Sequence, residues 1–83
     1  MKKGEKLMHR VLVSGYYGFG NAGDEAILIA IVESLKKLKE NIEITALSAD
    51  PLKTMEDYGI NAVQRTNPFA IIREISRADL VIS

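Results

Sequence analysis

The chain has 83 residues, 47% of them hydrophobic, which is enough for one small core. Eleven basic and eleven acidic side chains cancel to a formal charge of zero, and this balance argues against a broad surface for nucleic acid. Without cysteine, disulfides and thiolate chemistry are excluded, and His9 is the single imidazole. No apolar run approaches the roughly 18 residues of a membrane span. We therefore expect a cytoplasmic protein with a small-molecule or carbohydrate partner, no metal site and no transmembrane segment.

The organisation of the chain is that of one domain behind a short leader. The ordered pattern begins near Arg10, so we expect a flexible leader over residues 1–9 and a Rossmann-like domain over residues 10–83. His9 then lies in solvent before the first strand. We expect it to have no catalytic role.

The first half of the chain predicts a strand, a helix and a second strand. The apolar run 11–13 is typical of a strand buried on both faces, as in a parallel sheet. Residues 22–40 have helical periodicity, and their apolar first half predicts a helix covered on two sides. Residues 42–47 then alternate as a second strand.

The second half repeats one device for starting a helix. Asp50-Pro51 and Asn67-Pro68 each place an N-cap residue before a proline suited to the first turn. Gly59 is suited to end the first of these helices. Residues 61–65 predict a weak third strand, and Leu80-Val81-Ile82 predicts a fourth.

This alternation predicts an α/β fold with a parallel sheet in the strand order 3-2-1-4. Ligands of such sheets bind beyond the carboxyl ends of the strands, here between the first and fourth. One wall of that crevice is the glycine-rich segment 15–25, GYYGFGNAGDE. The other wall would follow Ser83, so we expect an incomplete domain.

The glycine-rich segment fits the dinucleotide fingerprint only in form. Gly18, Gly20 and Gly23 have the G-x-G-x-x-G spacing, but Gly15 is expected to occupy the strand end where the fingerprint has its first glycine. Asp24 and Glu25 would repel a pyrophosphate at the helix start. No Gly-Lys-Ser/Thr follows, which excludes a P-loop.

A purely structural interpretation of the same residues stays open. Asn21 is suited to cap the helix, with Asp24 reaching back as in a capping box, and both acids favour the helix dipole. A glycine loop with aromatic neighbours is nevertheless costly to order, which favours a loop that accommodates a ligand. The candidate substrate-binding residues are Gly18, Gly20, Asn21, Gly23, Asp24 and Glu25.

Three further sites have a simple interpretation and a functional one. Asp50 follows the second strand, where dinucleotide enzymes carry a ribose-binding acid, but Pro51 favours a helix cap. Lys36, Lys37 and Lys39 suit a helix carboxyl end and also suit peripheral contact with anionic lipid. Arg65, near the end of the third strand, is the arginine that we would test for anion binding.

Residues 10–28, RVLVSGYYGFGNAGDEAIL, resemble the amino-terminal signature of the polysaccharide pyruvyl transferase family, particularly its CsaB type. The specific part is Gly20-Asn21-x-Gly23-Asp24-Glu25, and residues 78–83 resemble the strand that precedes a second glycine-rich loop in that family. The resemblance implies the amino-terminal half of a GT-B-like architecture with its active site between two Rossmann-like domains.

The resemblance also implies a reaction. Family members transfer a pyruvyl group from phosphoenolpyruvate, as a ketal, to a sugar of a cell-surface glycan, here N-acetylmannosamine of a lipid-linked polymer. Phosphoenolpyruvate is a donor substrate, so no cofactor is expected. The family's donor-binding and catalytic residues lie in its carboxyl-terminal part, so we expect no catalytic residue before Ser83 and no activity of this piece alone.

Two other classes of function stay open. One is a noncatalytic nucleotide-binding or interaction module that shares the loop. The other is half of a glycosyltransferase that uses a nucleotide sugar.

Overall fold

The computed structural model describes residues 8–18, 20–38 and 41–83, and only the backbone of Tyr16. Residues 1–7 of the predicted leader, together with Phe19 and the last two residues of the predicted helix, Lys39 and Glu40, lie outside the described residues. The elements in chain order are β1 (His9–Tyr17), α1 (Ala22–Lys36), β2 (Ile42–Ser48), α2 (Pro51–Tyr58), β3 (Asn61–Gln64), α3 (Pro68–Arg77) and β4 (Leu80–Ile82).

The four strands form one parallel sheet in the order β3-β2-β1-β4, which confirms the predicted α/β Rossmann-like arrangement. The central strand β1 pairs with β2 and β4, so Val11 lies opposite both Ile44 and Leu80. A reciprocal pair of hydrogen bonds precedes β4: the Arg10 N–H donates to Asp79 Oδ2 at 2.8 Å, and the Asp79 N–H donates to the Arg10 carbonyl at 2.7 Å. This pair fixes the register of the edge strand.

The main core lies between the sheet and the helices α1 and α2. Right-handed crossovers place these two helices on the same face of the sheet. The buried cluster on that face consists of Val11, Val13, Tyr17, Leu28, Val32, Ile44, Ala46 and Ile60. Leu12 alternates to the opposite face, where α3 contacts β1 and β3.

The predicted helix starts and the predicted stop are confirmed. The Asp50 carboxylate accepts from the Lys53 N–H at 3.3 Å, and Asn67 Oδ1 accepts from the Ala70 N–H at 3.2 Å. Each cap is followed by its proline at the start of the helix. Gly59 ends α2 in the left-handed conformation, with φ of 64°. The cap interpretation of Asp50 is therefore sufficient for its position.

Two expectations about the first strand and helix differ from the structure. β1 includes His9, so this residue belongs to the strand and its N–H donates to the Asn41 carbonyl at 2.8 Å. The first half of α1 is not covered on two sides by the part of the chain that the structure describes: Leu28 is buried, whereas Ile27 is 56% exposed. The reason is that α1 contacts the sheet with one face only.

Candidate functional site

The glycine loop lies at the carboxyl edge of the sheet, between β1 and α1. β1 continues through Tyr17, so Gly18 stands at the end of the strand with φ of 85°, and Gly20 follows with φ of 77°. The expectation that Gly15 occupies the strand end is therefore wrong. Gly15 lies within the strand, where the register with β2 shifts between Val13 and Tyr17. The ring of Tyr17 packs over it, so a Cβ there would be 2.6 Å from Tyr17 Cζ.

Gly18 is required by packing against the turn between β2 and α2. A Cβ at Gly18 would lie 2.6 Å from the Asp50 backbone nitrogen and against the Ser48 hydroxyl. This turn is rigid, because Ser48 Oγ shares a hydrogen bond of 2.7 Å with Thr54 Oγ1 and accepts from the Asp50 N–H at 3.0 Å. The close approach at Gly18 is thus made by the protein's own backbone.

Gly20 and Gly23 have open surroundings. Within the described residues, a Cβ at Gly20 would meet no atom within 4 Å. A Cβ at Gly23 would meet only Asn21 Oδ1, at 3.4 Å. The part of the loop that leaves space for a ligand is therefore its second half.

Asn21 caps α1, as the structural interpretation predicted. Its Oδ1 accepts from the Gly23 N–H at 3.0 Å and from the Asp24 N–H at 3.3 Å. Its carbonyl accepts from the Glu25 N–H at 3.0 Å. The return hydrogen bond of a capping box, from the Asn21 N–H to the Asp24 carboxylate, does not form among the residues that are described.

Glu25 connects the loop to α2. Its Oε1 accepts from the Tyr58 hydroxyl at 2.9 Å, and its Oε2 lies 3.4 Å from the Gly18 nitrogen, whose N–H donates to it. The sequence pattern around Tyr58 indicates only packing in a short helix, so the residue is not among the sequence-based candidates. The contact between Glu25 and Tyr58 could have been expected from topology alone, because two crossovers of the same hand place α1 and α2 side by side.

The two tyrosines beside the acids are held in the neutral form. Burial, the hydrogen bond to Glu25 and nearby negative charge raise the pKa of Tyr58 to about 12. Burial, with smaller effects of Asp24 and Glu25, raises the pKa of Tyr17. Both phenols therefore stay protonated near neutral pH.

The chemistry that this arrangement supports is hydrogen bonding to hydroxyl groups. Asp24 and Glu25 lie in the first turn of α1 and are half-buried. The Glu25 carboxylate already accepts from Tyr58 and Gly18, so the Asp24 carboxylate is the more available acceptor beside the loop. Because Gly18 stands at the strand end, the first glycine of the G-x-G-x-x-G spacing lies where the dinucleotide fingerprint requires it. Both acids nevertheless lie at the helix start, where a pyrophosphate needs hydrogen-bond donors. The loop is therefore better suited to a polyol than to a dinucleotide.

The remaining candidates lie outside the glycine loop, although Arg65 lies at the same carboxyl edge of the sheet. His9 is at the amino end of β1, away from the loop. Arg65 follows β3, and its N–H donates to the Ser48 carbonyl at 3.0 Å. A cavity of about 450 Å³, lined by residues that include Met8, Ile42 and Asn61, also lies at the amino edge of the sheet. It is therefore remote from the glycine loop.

Over 8–18, 20–38 and 41–83, no three His, Asp or Glu side chains group as metal ligands would. None of the helices in the same ranges has the length and apolar character needed to cross a bilayer.

Comparison with known families identifies the chain. The family model described as polysaccharide pyruvyl transferase matches residues 21–83, most of the sequence. The matched range starts at the cap residue Asn21 and includes Gly23, Asp24 and Glu25. The comparison found no match among curated proteins and none among solved structures.

Proposed function

Because the chain belongs to the polysaccharide pyruvyl transferase family, we propose that it forms the amino-terminal part of an enzyme that transfers a pyruvyl group from phosphoenolpyruvate to a cell-wall polysaccharide. The proposed acceptor is N-acetylmannosamine in a lipid-linked polymer. The observation that carries the proposal is the family match over α1 to β4, which includes the acids of the crevice.

The proposed reaction converts an enol phosphate into a ketal and releases phosphate. Two hydroxyl oxygens of one sugar form bonds to C2 of the enol, and the bond from C2 to the phosphate oxygen breaks. C3 gains one proton and becomes a methyl group, while the second hydroxyl proton leaves with phosphate or solvent. The step needs an acid for C3 and cations for phosphate.

In this proposal the glycine loop contributes to the acceptor side of the crevice. Asp24 hydrogen-bonds an acceptor hydroxyl, and the open space at Gly20 and Gly23 admits the sugar. Carboxylates are unsuited to binding the phosphate and carboxylate of phosphoenolpyruvate, because like charges repel. The family resemblance implies that the donor-binding residues and the proton donor follow Ser83, in a GT-B-like carboxyl-terminal domain, so we expect this chain alone to be inactive.

The proposed location is the cytoplasm, at the inner face of the membrane where a lipid-linked acceptor is presented. Lys36 and Lys37, both exposed at the end of α1, are available for peripheral contact with anionic lipid.

The test is phosphate release from phosphoenolpyruvate in the presence of a lipid-linked aminosugar. The chain is compared with a form extended beyond Ser83 and with the extended Asp24→Asn variant. Extended Glu33→Gln is the matched control, since Glu33 is an exposed acid of the same helix. We expect turnover only in the extended forms, with a loss in Asp24→Asn and none in Glu33→Gln.

Two results would contradict the proposal. One is the absence of turnover in a folded, extended protein. The other is consumption of a sugar nucleotide, or protection of the loop by NAD or ATP without any effect of glycan. Consumption of a sugar nucleotide would instead support a glycosyltransferase, and protection by NAD or ATP would support a nucleotide-binding module.

A further inference from the structure

We infer that Glu25 and Tyr58 are positioning residues that hold the glycine loop against α2, and that Asp24 alone of the two acids is presented to the substrate. We call the two contacts of the Glu25 carboxylate, with Tyr58 and with Gly18, the Glu25 bridge. The assignment of Asp24 rests on the proposed function, whereas the Glu25 bridge does not.

The geometry of the Glu25 bridge uses both carboxylate oxygens. Tyr58 lies 33 positions away in sequence, and its hydroxyl donates to Oε1 at 2.9 Å, an ordinary length for a charge-assisted hydrogen bond. The Gly18 N–H approaches Oε2 with a longer separation of 3.4 Å. One side chain on α1 thus contacts α2 and the end of β1. Reorienting Glu25 toward a substrate would break the contact with Tyr58.

The loop has a physical need for such an anchor. Gly18 and Gly20 both have positive φ, and glycine loses more conformational freedom on ordering than any other residue. A loop that is ordered before the ligand arrives does not add that entropy loss to the binding step. Both anchors act at Gly18: its α-carbon packs on the Asp50 backbone, and its N–H donates to the Glu25 carboxylate, which Tyr58 holds in turn.

Asp24 is placed differently from its neighbour. Consecutive residues of a helix are separated by about 100° around the axis, so the two carboxylates project in different directions. Asp24 Oδ1 and Oδ2 accept no hydrogen bond from the residues that the structure describes, whereas both oxygens of Glu25 do. The half-buried Asp24 carboxylate therefore keeps more acceptor capacity for a sugar hydroxyl than Glu25, which already accepts one hydrogen bond at each oxygen.

The experiment measures hydrogen exchange of the Gly18 amide by NMR in the extended protein without substrate. Tyr58→Phe and Glu25→Gln are each expected to accelerate exchange about threefold to tenfold, as loss of a modest hydrogen bond predicts. The double variant is expected to resemble Glu25→Gln, because both substitutions break one bridge. Asp24→Asn and the exposed-acid control Glu33→Gln are expected to leave Gly18 exchange unchanged.

Kinetics with phosphoenolpyruvate and lipid-linked aminosugar supply the second readout. We expect Tyr58→Phe and Glu25→Gln both to raise the acceptor KM, with little change in kcat. We expect Asp24→Asn to lower kcat/KM more than either of these variants does. Unchanged Gly18 exchange in both bridge variants would overturn the inference. Loss of turnover in Glu25→Gln with normal kinetics in Tyr58→Phe would also overturn it, because Glu25 would then act on the substrate itself.

The two proposals fail in distinguishable ways. Gly18 exchange is measured without substrate, so it tests the Glu25 bridge even if the wild type releases no phosphate. Absence of turnover in the wild type, with the expected exchange pattern, would refute the pyruvyl transfer proposal and keep the bridge. Thermal unfolding of each variant identifies any general loss of structure, and Tyr58→Phe, which removes a single oxygen, is the variant least exposed to that problem.

Discussion

Substitution of Gly18 by alanine tests whether this glycine is required by the fold. Two costs are expected. An alanine with φ of 85° loses about 1–2 kcal/mol relative to glycine, the cost of a left-handed conformation for an L-residue. The added Cβ would also lie 2.6 Å from the Asp50 nitrogen, and such overpacking costs about 1–3 kcal/mol. Gly18→Ala should therefore lower the free energy of unfolding by about 2–5 kcal/mol.

Gly20→Ala is the matched control for this prediction. Gly20 has a similar φ of 77°, but a Cβ there meets nothing within 4 Å among the described residues. It should show only the conformational cost of about 1–2 kcal/mol. Urea denaturation of both variants measures the difference, with equal m-values as the sign that stability alone has changed. A loss in Gly18→Ala no larger than that in Gly20→Ala would refute the packing argument.

Three further predictions concern the turn and the bridge around the loop. Asp50→Ala should lower the free energy of unfolding by about 1 kcal/mol, because the Lys53 N–H loses its cap, and a denaturation midpoint equal to wild type would contradict this. Ser48→Ala should lower the free energy of unfolding by about 1–3 kcal/mol in the same assay, because the buried Thr54 hydroxyl loses its 2.7 Å partner. Replacing both hydroxyls by apolar groups should lower it by less than the sum of the two single losses. The pKa of Tyr58, raised to about 12 from 10.0, should make the folded state bind a proton that the unfolded state releases, so stability should fall as pH rises from about 10 to 12. Tyr58→Phe should lose that part of the pH dependence in alkaline unfolding, and an unchanged slope would argue against the shift.

The strand order and the helix ends could be predicted because their signals are local. The dipeptides Asp50-Pro51 and Asn67-Pro68 each specify the start of a helix, and the single residue Gly59 specifies the end of α2. Alternation of strands and helices with short connections then leaves few topologies, since crossovers have a fixed hand. The sheet order follows from these constraints and from the buried first strand.

The details of the loop could not be predicted because they depend on contacts between distant segments. Gly15 resembles a strand terminator until the Tyr17 ring is seen to occupy the space of its missing side chain. The partner of Glu25 is 33 residues away, on a helix whose pattern shows only packing. The cap role of Asn21 could be predicted because its hydrogen bonds go to residues two and three positions later in the chain. The requirement for glycine at position 18 arises instead from the distant β2–α2 turn.

The reciprocal hydrogen bonds between Arg10 and Asp79 have a consequence for the order of folding. They join residues 69 positions apart, and β1 completes its ladder only when β4, which follows the other three strands of this sheet in the chain, is present. Contacts with such separation close slowly, because a long loop must lose its entropy first. One edge of the central strand therefore stays unpaired until residues 79–82 have been made, and until then it is available for pairing with strands of other nascent chains.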